Sequence, residues 1–194
     1  MYKKLISCLL FCTILIVTGC VNVPNEAANV SELKLVDTLS DGKSFRFRGL
    51  DWFITYHELK QQENISQEDI VIRPTPPMTF KYKKSMNFRE VDLHVDFILY
   101  SFNDEPSTFV SGHYIATFEN EDEYLATVVK VKSELEAQFS NMNMYFGNHF
   151  NPLEDHSSIQ WEAEDNSRLT LQVFKNNGST PYTINIAVHA PLSF

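Results

Sequence analysis

The sequence predicts an α+β fold: an antiparallel sheet of about six to seven strands with two helices packed on one face, in the order β-α-βββ-α-βββ. Three observations predict it. Several segments alternate apolar and polar residues with the period of two that a half-buried strand requires. Two others carry helix-start signals followed by apolar residues at helical spacing. The links between successive strands in the C-terminal part are short, which favours antiparallel meander pairing. Helices gathered on one face bury one set of alternating strand residues and leave the other wet.

In chain order, Phe45, Phe47 and Gly49 alternate with Arg46 and Arg48, predicting a strand that runs towards Trp52. Thr55 and Glu58 form a T-x-x-E capping box, with Ile54 and Leu59 at the positions of the accompanying hydrophobic staple. This places a short helix at about 56–63, too short to be stable without packing partners. Residues 64–77 hold Pro74, Pro76 and Pro77 and read as a loop. Strands follow at about 78–84, 90–102 and 109–118. In the second of these, Val91, Leu93, Val95, Phe97 and Leu99 share one face, and Asp92, His94 and Asp96 the other.

Asn120 precedes Glu121, Asp122 and Glu123, an N-cap followed by negative charge at the positive end of the helix dipole. Tyr124, Val128, Val131, Leu135 and Phe139 then form an apolar stripe, widened by Leu125 and Val129, over a helix at about 121–140. A polar loop at 141–156 leads to three strands. Ile159, Trp161 and Ala163 alternate in the first, Leu169, Leu171 and Val173 in the second, and Tyr182, Ile184, Ile186 and Val188 in the third. A helix followed by a meander therefore occurs twice, which hints at a duplicated unit.

The N-terminus has the parts of an export signal. Lys3 and Lys4 precede an apolar stretch, Leu5 to Val17. That stretch falls short of the ~20 apolar residues needed to cross a bilayer, but suits the apolar region of a signal peptide. Val17-Thr18-Gly19-Cys20 ends it: an aliphatic residue, two small ones, and a cysteine. This tetrapeptide closely resembles the lipobox of bacterial lipoproteins. The resemblance implies cleavage before Cys20, lipidation (palmitate included) of that cysteine, and attachment to a membrane of the cell envelope. Each buried methylene contributes about 0.8 kcal/mol, so more than one acyl chain gives a stable anchor. Val21 is not the aspartate that retains many such proteins in the inner membrane, so in a Gram-negative cell the expected site is the outer membrane, facing the periplasm. Residues 20–32 are small and polar and read as a flexible tether, leaving 33–194 as a single domain.

Composition narrows the partners. Cys8 and Cys12 lie in the signal, so no disulfide is expected within the mature chain and stability must come from a hydrophobic core. Loss of Lys3 and Lys4 takes the 16 basic residues to 14 against 25 acidic, a formal charge of −11. A domain so acidic is repelled by nucleic acid and by anionic headgroups, so membrane contact is expected through the lipid.

Chemistry-bearing clusters are few. Asp92, His94 and Asp96 project from one strand face at intervals of about 6–7 Å, too far apart to share one ion without further ligands. His149, Glu154, Asp155 and His156 gather in the 141–156 loop, but without the spacing of a known zinc site. His149, Asp155 and His156 are the metal-ligand candidates of an alternative reading as a lipid-anchored hydrolase or metal-binding protein. Ser111-Gly112-His113 lacks the G-x-S-x-G of a nucleophile elbow, and His57 reads as a helix-surface residue. No catalytic residue and no cofactor is indicated. Fifteen phenylalanines and eight tyrosines supply the core with more aromatics than it is bound to use, and Met142, Met144, Tyr145, Phe146 and Phe150 cluster in one loop. That loop, or a sheet face, is the expected contact surface for another envelope protein.

The run Gly49-Leu50-Asp51-Trp52 ahead of a capped helix, with the later Ile159-Gln160-Trp161 strand and its hairpin, is similar to small exported α+β bacterial proteins of uncharacterised function. The helix-plus-meander unit is also similar to envelope-assembly lipoproteins and periplasmic inhibitor proteins. Such fold-level resemblances supply no site; the expected role is a non-enzymatic protein-binding module, in envelope assembly or of inhibitor or immunity type.

Overall fold

Both helix starts form as their side chains dictate. The Thr55 hydroxyl accepts from the Glu58 amide, and the Glu58 carboxylate accepts from the Thr55 amide at 2.7 Å, completing the capping box of α1 (Tyr56–Gln62). Asn120 accepts from the Glu123 amide at 3.0 Å and opens α2 (Glu121–Gln138). The computed structural model describes residues 34–66, 70–73, 78–88, 90–100, 107–145, 149–175 and 181–191. The segments read as export signal, lipobox with Cys20 and tether 20–32, and Phe146, lie outside the described residues.

The strands are β1 (Ile70–Arg73), β2 (Met78–Phe88), β3 (Val91–Tyr100), β4 (Thr108–Phe118), β5 (Asn143–Tyr145), β6 (His156–Glu162), β7 (Arg168–Lys175) and β8 (Tyr182–His189). They form one antiparallel sheet in the order β1-β2-β3-β4-β8-β7-β6-β5. The fold class is therefore α+β, as the alternation predicted, with the chain order α-ββββ-α-ββββ. Each helix precedes a four-stranded meander, and the two meanders join through their last strands, β4 and β8.

Both helices and a short 3-10 turn at Leu35–Thr38 pack on one face and share one core with the inward strand residues. That core takes Leu59 from α1 and Tyr124, Val128, Val131 and Leu135 from α2. Phe139, at the C-cap, completes the predicted stripe, and Leu125 packs at its margin. Val129 does not widen it: its side chain is 65% exposed, one step too far round the helix. Trp161 is inward and fully buried, with Ile159, Leu169, Leu171, Ile184, Ile186 and Val188 beside it.

Three sequence readings need correction. Residues 45–49 are not a strand of the sheet. Phe45 and Phe47 do face the core, but the backbone bonds back to the preceding turn, Arg46 N–H to the Leu39 carbonyl and Arg48 N–H to that of Thr38. Arg48, Gly49 and Phe53 take left-handed backbone angles, which no strand accommodates. The 64–77 loop contains β1, and the 141–156 loop contains β5. Both are short edge strands: Ile70-Val71-Ile72 is a β-branched run beside the prolines, whereas β5 owes its strand character to its pairing with β6.

Phe47 is the centre of the aromatic packing. Its ring lies 4.7 Å from that of Tyr114 and 5.6 Å, edge-on, from that of Phe97, while Trp52 stacks on Phe109 at 5.1 Å. The ring rests on Gly112, where an added Cβ would sit 2.1 Å from Phe47. Gly112→Ala is therefore expected to destabilise the protein by more than about 2 kcal/mol through overpacking, and Trp161→Ala by about 3–5 kcal/mol through cavity formation. Urea unfolding of the two variants measures both.

Candidate functional site

A polar cluster occupies the middle of the opposite sheet face, on which no described helix packs. A bulge creates it. β3 and β4 slip register between Ile98 and Leu99, so Ile98 faces Ser111 and Leu99 faces Phe109, with Val110 the extra residue. Phe109 and Gly112 consequently both face the core, and Ser111 and His113 face outward. The antiparallel β8 sets His189 opposite Ser111 and Ala187 opposite His113, with Asn185 next on the same face. β7 then sets Arg168 opposite His189 and Gln172 opposite Asn185. From β3, Asp96 stands opposite His113.

These side chains bond to one another. The Ser111 hydroxyl oxygen lies 2.8 Å from His113 Nε2, 3.0 Å from His189 Nδ1 and 3.0 Å from the Val188 carbonyl oxygen. His113 Nδ1 lies 3.1 Å from Asn185 Oδ1, and Asn185 Nδ2 donates to Gln172 Oε1 at 2.7 Å. The two imidazole rings meet edge-to-face at 5.8 Å.

With both rings neutral and the amides so oriented, the proton positions follow. Asn185 Oδ1 only accepts, so His113 carries its proton on Nδ1 and its Nε2 accepts. The Ser111 hydroxyl then donates to His113 Nε2 and accepts from a proton on His189 Nδ1. Every bond in the chain from Gln172 to His189 is satisfied.

Electrostatics keep the rings neutral. Burial lowers the His113 pKa below the ordinary 6.5, and Asn185 offsets this only in part. His189 is lowered to about 4, through burial, then the charge of His113, then that of Arg168. Buried Ser111 and Asp96 border the pair, and Thr170 and Ala187 are buried on the same face.

Serine, imidazole and carboxamide in sequence superficially match a nucleophile, its base and an orienting group. Ser111, however, is 5% exposed in the middle of a strand, and its oxygen is enclosed by three polar partners. The arrangement positions protons and presents no open oxygen for attack.

The loop candidates are placed differently. Met142 and Phe150 are half-buried and pack against the core, and Met144 on β5 is 48% exposed. Tyr145 lies on the same short strand, its backbone opposite that of Gln160. The 149–156 segment is tied down: the Tyr124 hydroxyl donates to the Pro152 carbonyl at 2.8 Å, and Ser157 accepts from the Asn151 amide at 3.0 Å. His149, Glu154 and Asp155 are exposed, and the His156 ring leans on Phe174 at 5.0 Å. Asp92 accepts from Asn87, His94 is exposed and Asp96 is buried, so the predicted trio is divided between environments. Among the described residues no group of three or more His, Cys, Asp or Glu side chains is placed to hold a metal ion. His57 lies on the exposed face of α1, its ring beside Gln61. Sequence reading weighed Ser111 and His113 only as a failed elbow and passed over Asn185 and His189. Their alternation within strands was visible, but not that β4 and β8 are neighbours.

No known protein family, curated protein or solved structure matches the chain.

Unfolding releases both histidines to titrate near 6.5, so between about pH 6.5 and 4 the unfolded chain binds more protons than the folded one. Stability therefore falls as pH drops through that window, by roughly 3 kcal/mol from His189 alone. Urea midpoints measured from pH 7 to 4 are expected to decline accordingly, and His189→Asn to flatten the decline. A midpoint independent of pH across this range would refute the buried neutral pair.

Proposed function

We propose that the chain is an exported lipoprotein, anchored through lipid on Cys20, whose domain from 33 to 194 is a non-enzymatic module that binds a second envelope protein on the helix-free sheet face. The anchoring rests on the lipobox and its place at the end of an export signal. The binding surface rests on one observation. The helices collect on one side of an eight-stranded sheet, and the other side carries side chains fixed by bonds spanning β4, β8 and β7. Rigid polar groups on paired strands suit a broad macromolecular contact. This shifts the contact surface from the 141–156 loop, where two of the apolar candidates pack inward. The acid excess disfavours nucleic acid and leaves protein as the expected partner.

Cys20→Ala is expected to leave the domain folded but move it from the membrane to soluble or unprocessed fractions; correctly cleaved protein still anchored to membrane would count against the lipid. Photo-crosslinking residues placed in living cells at Thr117, Ser158 and Thr183 on the sheet face are expected to capture a discrete envelope protein. Control positions at Ala126 and Val129 on α2 are expected to capture none, and the reverse pattern would sink the proposed surface.

A further inference from the structure

The cluster has a second arrangement in which it holds one more proton without losing a hydrogen bond. In the neutral arrangement Ser111 donates to His113 Nε2 and accepts from His189 Nδ1. A proton added to His113 lands on Nε2, the ring nitrogen that was accepting. The ring then donates from both nitrogens, to Asn185 Oδ1 and to Ser111 Oγ. The Ser111 hydroxyl loses its acceptor there, but the Val188 carbonyl oxygen is already 3.0 Å away. A rotation about one bond redirects the hydroxyl proton to that carbonyl. Ser111 then accepts from both imidazoles and donates to the backbone, within the capacity of one hydroxyl.

We propose that Ser111, His113 and His189 form a one-proton switch on the helix-free face, in which acidification loads His113 and turns the Ser111 hydroxyl from His113 to the Val188 carbonyl. It goes beyond the binding role and does not depend on it, being a property of the network alone.

The charged neighbours set the order of loading. His113 faces Asp96 across β3 and Asn185 diagonally on β8, with His94 diagonally on β3 and no charged residue at Ala187 opposite. His189 faces Ser111 on β4 and Arg168 on β7, and Arg168 in turn faces Glu162 on β6. A proton on His113 is therefore held against the Asn185 amide oxygen, with Asp96 opposite in register on β3. A proton on His189 sits between Arg168 and the ring already loaded. The cluster takes its first proton at His113 and resists the second, so the centre of the face gains a single positive charge before it gains two.

The test is two-dimensional NMR of the imidazole nitrogens in the full chain, labelled with 15N histidine. At pH 7 His113 is expected to carry its proton on Nδ1 with Nε2 bare. On acidification His113 is expected to titrate first, and His189 more than about one pH unit below it. Ser111→Ala removes the rotating hydroxyl, leaves the loaded His113 without an acceptor at Nε2, and is expected to lower the His113 midpoint; Ser111→Thr is expected to restore it. A proton on Nε2 of His113 at pH 7, or two midpoints that coincide, would overturn the switch, as would a His113 midpoint unmoved in Ser111→Ala. The first two readings come from the unmodified chain, so they decide the matter even where a variant fails to fold.

Discussion

The contact of Phe47 with Gly112 is the constraint on which the rest of the structure depends. Phe47 comes from a segment outside the sheet, and Gly112 from the middle of one of its two central strands. Without a side chain at 112 the ring reaches the strand backbone, and Phe97, Phe109 and Tyr114 close around it. The segment that delivers Phe47 is held in turn by its own anchors. Phe45 N–H donates to the Ser167 hydroxyl, the Trp52 indole donates to the Phe45 carbonyl, and Arg48 lies across the Glu63 carboxylate with Nε 3.0 Å from each oxygen. Two left-handed residues other than glycine, Arg48 and Phe53, occur within this segment. Their backbone angles persist because the packing on either side over-determines them.

The same tripeptide organises both faces of the sheet. Gly112 points into the core, and Ser111 and His113 point away from it, so the aromatic plug and the polar cluster are fixed by one short stretch of β4. The bulge at Val110 makes this compatible with an inward Phe109, because an extra residue reverses the alternation. A core change at 112 would therefore be felt in the hydrogen bonds on the other side of the sheet. Polar groups buried on such a face are tolerated only when every donor and acceptor finds a partner. Ser111 meets that demand by donating to one imidazole and accepting from the other, with the Val188 carbonyl 3.0 Å away as a second acceptor.

In the proposed reading the anchor and the binding face divide the labour: lipid on Cys20 would hold the domain at the membrane, and the sheet would supply recognition. The helices bury the other side, and α2 carries Glu121, Asp122, Glu123, Glu134 and Glu136.

The sequence by itself determined the local structure wherever a residue's near neighbours decide it. The capping box at Thr55, the N-cap at Asn120 and the inward faces of β3, β6, β7 and β8 were all legible, because caps and alternation act within a few residues. The tetrapeptide Val17-Thr18-Gly19-Cys20, on which the proposed anchor rests, is legible for the same reason, being a contiguous pattern. Tertiary structure alone decided what depends on distant partners. β5 becomes a strand by pairing, residues 45–49 leave the sheet because their backbone bonds to residues 38 and 39, and Val129 faces solvent although it lies at the edge of the predicted stripe. The candidate site belongs to this second group. Its histidines are 76 positions apart in the numbering, and only the joining of two meanders through β4 and β8 brings them to the same serine.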